Sequence, residues 1–223
     1  MKKLTMFLIV GGVLTSCLKE PDIEVDSSQY YSSYFLFYDA GLDLSQPIAI
    51  FTANDENGFR QTLRTGADVK FMNSSLTFDT NMVEYRANIE EYVPIGEFIF
   101  TDIFGVEYIN EIEQNIIGFP AVFDSVSINE DLDIFWKGDP LEAGEFVTLD
   151  IFDPRLEFRE TFTQDELESI KITIPSAGLR IFEMGVMRFI MTRERISDAL
   201  SSPGLGGVVH SIYINSKDVK LVE

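Results

Sequence analysis

Leu132-Asp133-Ile134-Phe135-Trp136, then Lys137-Gly138-Asp139-Pro140, then the run from Glu145 to Phe152 read as a strand, a turn and a return strand. Glycine and proline punctuate the turn, and the flanking runs are rich in residues that suit a pleated, half-buried surface. The same grammar extends outward in both directions. From Tyr30 onward, short β-favouring runs alternate with turn residues at intervals of roughly ten, the signature of a sandwich or barrel. Tyr34–Tyr38, Ile48–Thr52, Phe59–Leu63, Val69–Phe71, Tyr85–Ile89 and Phe98–Thr101 are such runs on the N-terminal side. Between the second and third, Asn54-Asp55-Glu56-Asn57-Gly58 predicts a hairpin with residues at positive φ. Val208, His210, Ile212 and Ile214 alternate with Val209, Ser211 and Tyr213, as a closing strand would. Thr163-Gln164-Asp165-Glu166 has capping-box spacing and predicts at most one helical turn.

The pattern breaks at Gly118 and Pro120, which divides the folded part into two expected domains, residues 30–117 and 118–223. The fold class expected is all-β, two tandem antiparallel sandwiches. A lone tryptophan, Trp136, followed by a glycine turn and a return strand resembles the Ig and fibronectin-type sandwich, and the resemblance implies that the indole fills the space between the sheets. With no cysteine pair around it, an antibody-type domain is excluded. Tyr92 to Asn110, with Gly96, Phe98, Phe100, Asp102, Gly105, Tyr108 and Asn110, is similar to a strand, turn and strand of Ig-like modules in bacterial surface proteins. That similarity implies that Asp102 and Gly105 close the hairpin. Ile172 to Leu179, with Gly185 and Met187 to Arg193, resembles bacterial lipoprotein sandwich domains, which implies that Pro175 ends a strand and Leu179 plugs the sandwich end.

At the N-terminus, Lys2 and Lys3 precede an apolar run, Leu4 to Val13, and then Leu14-Thr15-Ser16-Cys17, whose cysteine is the only one in the chain. This is the layout of a secretory signal. The apolar run is about half the roughly 20 residues that a membrane-crossing helix needs. The stretch resembles a bacterial lipoprotein precursor. That resemblance implies a signal peptide over residues 1–16, with Leu14, Thr15 and Ser16 as the peptidase recognition residues. It also implies a diacylglycerol on the Cys17 sulfur, with a further acyl chain, such as palmitate, on its amino group. Two acyl chains hold a protein stably where one does so only marginally. Residues 17–29 are then the lipidated cysteine and a flexible tether, and the twelve residues after Cys17 reach at most about 40 Å. Lys19-Glu20 with Asp22 is similar to the acidic export signal of surface lipoproteins of the Bacteroidota, and reads equally well as a solubilising linker. The localisation implied is the outer membrane, lipid-anchored, on its surface or periplasmic side.

Without residues 1–16 the chain has 207 residues, with 15 basic against 37 acidic side chains and a net charge of −22. Such a surface repels nucleic acid and anionic headgroups, so a nucleic-acid partner is excluded. No disulfide can form, and each sandwich must be stable through its apolar core. A Ser-His-Asp set would have to use the one histidine, His210, which sits in a strand pattern and reads as a strand histidine near a sheet edge. Transition-metal coordination would require more His or Cys than the chain holds. Asn129-Glu130-Asp131-Leu132-Asp133 and the Asp150 and Asp153 pair supply oxygens of the kind calcium takes, but no EF-hand spacing is present, and acidic turns are ordinarily just solvated. No catalytic set, no metal and no cofactor beyond the lipid is expected, and the chain is not expected to be an enzyme. Tyr30, Tyr31 and Tyr34 are the aromatics that could face a ligand such as a glycan, and they also fit an edge strand. The function expected is an accessory or scaffold lipoprotein docking on another outer-membrane or surface protein, with a surface glycan- or ligand-binding module as the alternative.

Overall fold

The computed structural model describes residues 29–223. The expected signal peptide, with Leu14, Thr15, Ser16 and Cys17, and the expected tether up to residue 28 lie outside the described residues. In chain order the elements are β1 (Tyr30–Asp39), β2 (Leu44–Ala53), β3 (Asp68–Phe71), β4 (Ser74–Ser75), β5 (Thr77–Asp79), β6 (Glu84–Arg86), β7 (Ile95–Thr101) and β8 (Glu107–Glu113). Then follow β9 (Ser125–Ser127), β10 (Leu132–Phe135), β11 (Glu145–Asp153), β12 (Phe158–Gln164), β13 (Lys171–Ile174), α1 (Ser176–Leu179), β14 (Gly185–Asp198) and β15 (Gly207–Val222).

The strand order identifies the architecture without appeal to any other protein. In the first half, β1-β2-β6-β5 face β4-β3-β7-β8, which in chain order is the A-B-E-D sheet of an Ig-like sandwich against its C-F-G sheet with an added C′ strand. In the second half, β12-β11-β14-β15 carry the C′-C-F-G order, and β10-β13 form the opposing B-E pair. The fold is all-β and Ig-like in both halves.

Period-two alternation drives the packing. Along β1 the inward positions are Tyr30, Ser32, Tyr34, Leu36 and Tyr38. Tyr34 stacks on Phe98 at 5.0 Å between centroids, Phe51 meets Phe100 at 4.9 Å, and Phe71 meets Phe98 at 4.8 Å. The second core gathers Ile134, Trp136, Leu149, Ile172, Phe189 and Val219. Trp136 follows β10 directly, is buried, and donates its indole N–H to the Asp139 carbonyl at 3.3 Å. β13 ends before Pro175, and Leu179 of α1 is fully buried.

Two local expectations are corrected. Phe59–Leu63 is no strand: β2 already pairs with β1 along its length and with β6 at Ile48 and Ala49, so only its last residues remain to form a bridge between Thr52 and Arg60. Asn54 does take positive φ, at 72°. Thr163 and Gln164 end β12 instead of opening a helix, and among the described residues the one short helix lies at Ser176–Leu179.

The β7–β8 hairpin is closed by Asp102, whose Oδ1 accepts from the N–H groups of Phe104 (2.8 Å) and Val106 (2.9 Å), with Gly105 at φ +79°. Asp102 is buried, so its removal strands two backbone donors. Asp102→Ala is expected to cost about 1–3 kcal/mol, read as a lower urea midpoint at unchanged slope. An unchanged midpoint would show that water replaces the carboxylate without loss.

The two halves are not separate beads. β1 pairs in parallel with the first half of β15, from Ser32↔Gly207 to Asp39↔Ile214. β14 pairs antiparallel with β15 from Gly185↔Leu221 to Asp198↔Val208. A single nine-stranded sheet therefore runs through both modules. The 16 residues of β15 span about 50 Å at 3.3 Å per residue; Val209 belongs to the first core, and Val219 and Leu221 to the second. The sequence break near residue 118 lies between β8 and β9, yet the last strand returns to the first module.

A buried ion pair seals the junction. Arg193 and Glu145 are 2.5 Å apart, with side chains 2% and 1% exposed. Arg193 also donates to the carbonyls of Asp139 (2.8 Å) and Pro140 (2.9 Å), while Glu145 accepts from Asn115 Nδ2 and the Glu142 N–H, both at 2.8 Å. Gln114, just after β8, donates from Nε2 to the carbonyls of Leu36 and Ile212, stitching the linker to β1 and β15.

Candidate functional site

The strand register settles where the tyrosines face. Tyr30 and Tyr34 point into the first core, 2% and 0% exposed, and are not ligand-facing. The reason is the pleat: Leu36 and Tyr34 share a face, and the outward positions go to Tyr31, Phe35 and Phe37. Burial raises the Tyr34 hydroxyl pKa far above its ordinary value. Tyr31 alone of the three is partly open, and its pKa is raised by partial burial and then by the nearby charges of Glu56 and Asp198.

His210 lies on β15 with Nε2 2.8 Å from a Glu194 carboxylate oxygen and its ring against Phe35. Both neighbours are cross-strand or adjacent-strand positions of the same sheet, an arrangement that organises a sheet surface. Of the acids weighed for calcium, Asp131, Asp133, Asp150 and Asp153 already have partners, and Asp133 and Asp150 lie on separate sheets. Asp133 on β10 accepts from Lys171 Nζ (2.7 Å) and Thr173 Oγ1 (2.6 Å), and these bonds hold its pKa below the usual carboxylate range. Asp131 accepts the Ser176 N–H. Asp150 on β11 accepts from Thr161 and Arg159. Among the described residues no group of three or more His, Cys, Asp or Glu is placed to hold a metal.

The feature with the geometry of a contact site is the end of the second module that lies farthest along β15 from Tyr30. There the β11–β12 turn and the α1–β14 loop meet. Asp153, fully buried, accepts a two-pronged bond from Arg155, Nε to Oδ1 at 3.0 Å and a terminal nitrogen to Oδ2 at 2.8 Å. Those bonds lower the Asp153 pKa. The same guanidinium donates to the Met184 carbonyl at 3.3 Å, fastening one loop to the other. Gly185 makes this possible: at φ +146° it passes so close to Arg155 that an added Cβ would lie 2.9 Å from the guanidinium.

On this clamped frame Leu156, Ile181, Met184 and Val186 are exposed, and Phe158 packs on Phe182 at 5.3 Å. Beside them runs a cleft of about 490 Å³ lined by Phe152, Pro154, Arg155, Val186, Arg188 and Asp218. Apolar side chains held on a rigid frame are suited to burial against a partner, since little freedom is lost on contact.

No family model matches the chain, and no curated protein matches it significantly. Comparison with solved structures gives matches of low identity. The chain is similar to the FN1–FN3 domains of chicken CNTN1, at 9% identity and TM-score 0.24, covering 75% of this chain and 62% of that one. It is also similar to a structure described as giving insight into host cell surface retention of a 1.5-MDa bacterial ice-binding adhesin, at 8% identity and TM-score 0.25, covering 88% and 66%. The chain thus spans less than two thirds of either.

The sequence missed this apolar end. Its one local signal was Asp153-Pro154-Arg155 placed directly after a strand-like run, with Gly185 between Met184 and Val186. What joins the two segments is a contact across some thirty residues, which no local pattern encodes.

Proposed function

We propose that this chain is a lipid-anchored, non-enzymatic accessory protein of the outer membrane, which docks through the apolar end of its second module on another membrane or surface protein. The observation that carries the reading is the clamped apolar frame of Leu156, Ile181, Met184 and Val186 at the pole remote from Tyr30. The chain enters the fold at Tyr30, thirteen residues after the lipobox cysteine, so an anchor at Cys17 leaves the opposite end free to meet a partner. Confinement to the membrane plane raises effective concentration, so a modest apolar contact suffices. The acidic surface adds specificity more than affinity.

Mild-detergent pull-down of the tagged lipidated protein is expected to recover a membrane or surface protein, and the double variant Met184→Asp, Val186→Asp is expected to lose at least nine tenths of it. Undiminished recovery by that variant would move the contact elsewhere on the molecule. Saturable binding to a purified polysaccharide with no protein recovered would replace this reading with a glycan-binding one.

A further inference from the structure

The opposite pole carries a second set of exposed apolar side chains, on four separate loops that turn at the place where the chain enters the fold. The β2–β3 loop lies there, because the Asn54 N–H donates to the Gln29 carbonyl and Ala53 pairs with Tyr30. It presents Phe59, 77% exposed. The β5–β6 turn lies beside it, because Arg60 donates to the Met82 carbonyl, and Met82 is exposed. The β14–β15 loop joins them, since Gly206 accepts from the Ser32 N–H; it presents Leu200, 93% exposed, and Leu205. The β7–β8 hairpin points the same way: Phe98 is level with Tyr34, and Phe100 with Phe51 and hence Tyr30, so the strand runs out past Tyr30 into its turn. That turn presents Phe104, 76% exposed, and Val106.

Isolated apolar residues on a surface need no explanation, but convergence of four loops on one pole does. The chain that leaves this pole reaches Cys17 within about 40 Å at full stretch. We infer that this pole rests on a lipid bilayer, with Phe59, Met82, Phe104, Val106, Leu200 and Leu205 seated at the boundary between headgroups and acyl chains. The inference rests on the lipid-anchor reading and deepens it: the folded part stands on the membrane, directed by its loops, instead of swinging on its tether. Charge selects the lipid. Glu56 on the β2–β3 loop and Asp198 at the end of β14 place negative charge at this pole, and Arg60 is already paired with Glu84, so zwitterionic headgroups are favoured over anionic ones.

The test uses the full lipidated protein in phosphatidylcholine vesicles whose acyl chains carry bromine, a contact quencher of indole. Trp136, the single native indole, is buried in the other module and reports that the fold is intact. In L200W the added emission is expected to fall at least twofold on brominated relative to ordinary vesicles, while wild-type emission stays unchanged. Adding Phe59→Asp and Phe104→Asp to L200W is expected to abolish the quenching, and raising the anionic lipid fraction is expected to weaken it. Mass spectrometry of Cys17 and flotation with the vesicles separate the two readings. An acylated, floating protein whose L200W emission is not quenched overturns this inference and leaves the anchor standing. A Cys17 without acyl chains, in a protein that does not float, overturns the anchor and the inference together. If position 200 is shielded only when a co-purified membrane protein is added, the pole contacts protein and not lipid.

Discussion

Arg193→Ala is expected to lower folding stability by about 3–5 kcal/mol, the cost of leaving a buried carboxylate without its counter-ion. Glu145 is enclosed at the junction, and the Asp139 and Pro140 carbonyls would lose their donor at the same time. The comparison variant is Arg193→Met with Glu145→Leu, which removes both charges. It is expected to be more stable than Arg193→Ala, yet below wild type, because those carbonyls stay unpaired. Guanidinium titrations of the three proteins check the order. A loss under about 1 kcal/mol for Arg193→Ala would mean that water enters the junction and the pair is not sealed.

The same pair has a pH signature. Burial raises the Glu145 pKa, but bonds from Arg193, Asn115 and the Glu142 N–H outweigh it and leave the carboxyl below its ordinary value. A depressed carboxylate contributes its stability above the unfolded-state pKa, about 4.3 for glutamate, and loses it as the pH falls through the folded value. In Arg193→Ala the carboxyl keeps its burial and loses its main partner, which raises its pKa, so protonation relieves the variant before wild type is affected. The gap between the two is therefore expected to narrow as the pH falls toward about 4 and to go on closing below it, where wild type loses its own contribution.

Phe98→Ala is expected to cost about 3–5 kcal/mol, the range for a buried phenylalanine replaced by alanine, since Phe98 is fully buried between Tyr34 and Phe71. Its more telling effect is on the other module. Because β15 serves both cores and β14 runs beside it throughout, the halves are expected to unfold in one transition. Trp136 reports on the second core alone. Its fluorescence midpoint is therefore expected to fall in Phe98→Ala as far as the midpoint seen by circular dichroism. A Trp136 midpoint that stays at the wild-type value would show two independent units.

What could be read locally in the sequence was the strand grammar. Asp102 with Gly105 and Pro175 at the end of β13 depend on neighbours within a few residues, the burial of Trp136 and Leu179 follows from the alternation of the apolar runs around them, and each stands as read. The tyrosines of β1 show where that reading fails. Composition suggests that an amphipathic ring faces out, but a strand has only two faces, and Leu36 commits Tyr30 and Tyr34 to the inner one. Longer-range features left no trace at all. The parallel ladder between β1 and β15 joins residues some 175 apart, and the Arg155 clamp on Met184 crosses β12, β13 and α1. Parallel pairing carries no turn signal, and Arg155 on an exposed turn looks like any solvated charge.

The fused sheet also fixes how the molecule answers to force. A pull on the chain at Tyr30 and on the far loop at Met184 acts along the β1–β15 ladder in opposite directions. The eight paired positions from Ser32 to Asp39 then bear load together, in shear, where a hairpin pulled at its open end would yield one bond at a time. Rupture under such tension is governed by the unfolding barrier and not by equilibrium stability. The strand that welds the modules is thus also the tension-bearing cable of the molecule when it is loaded from end to end.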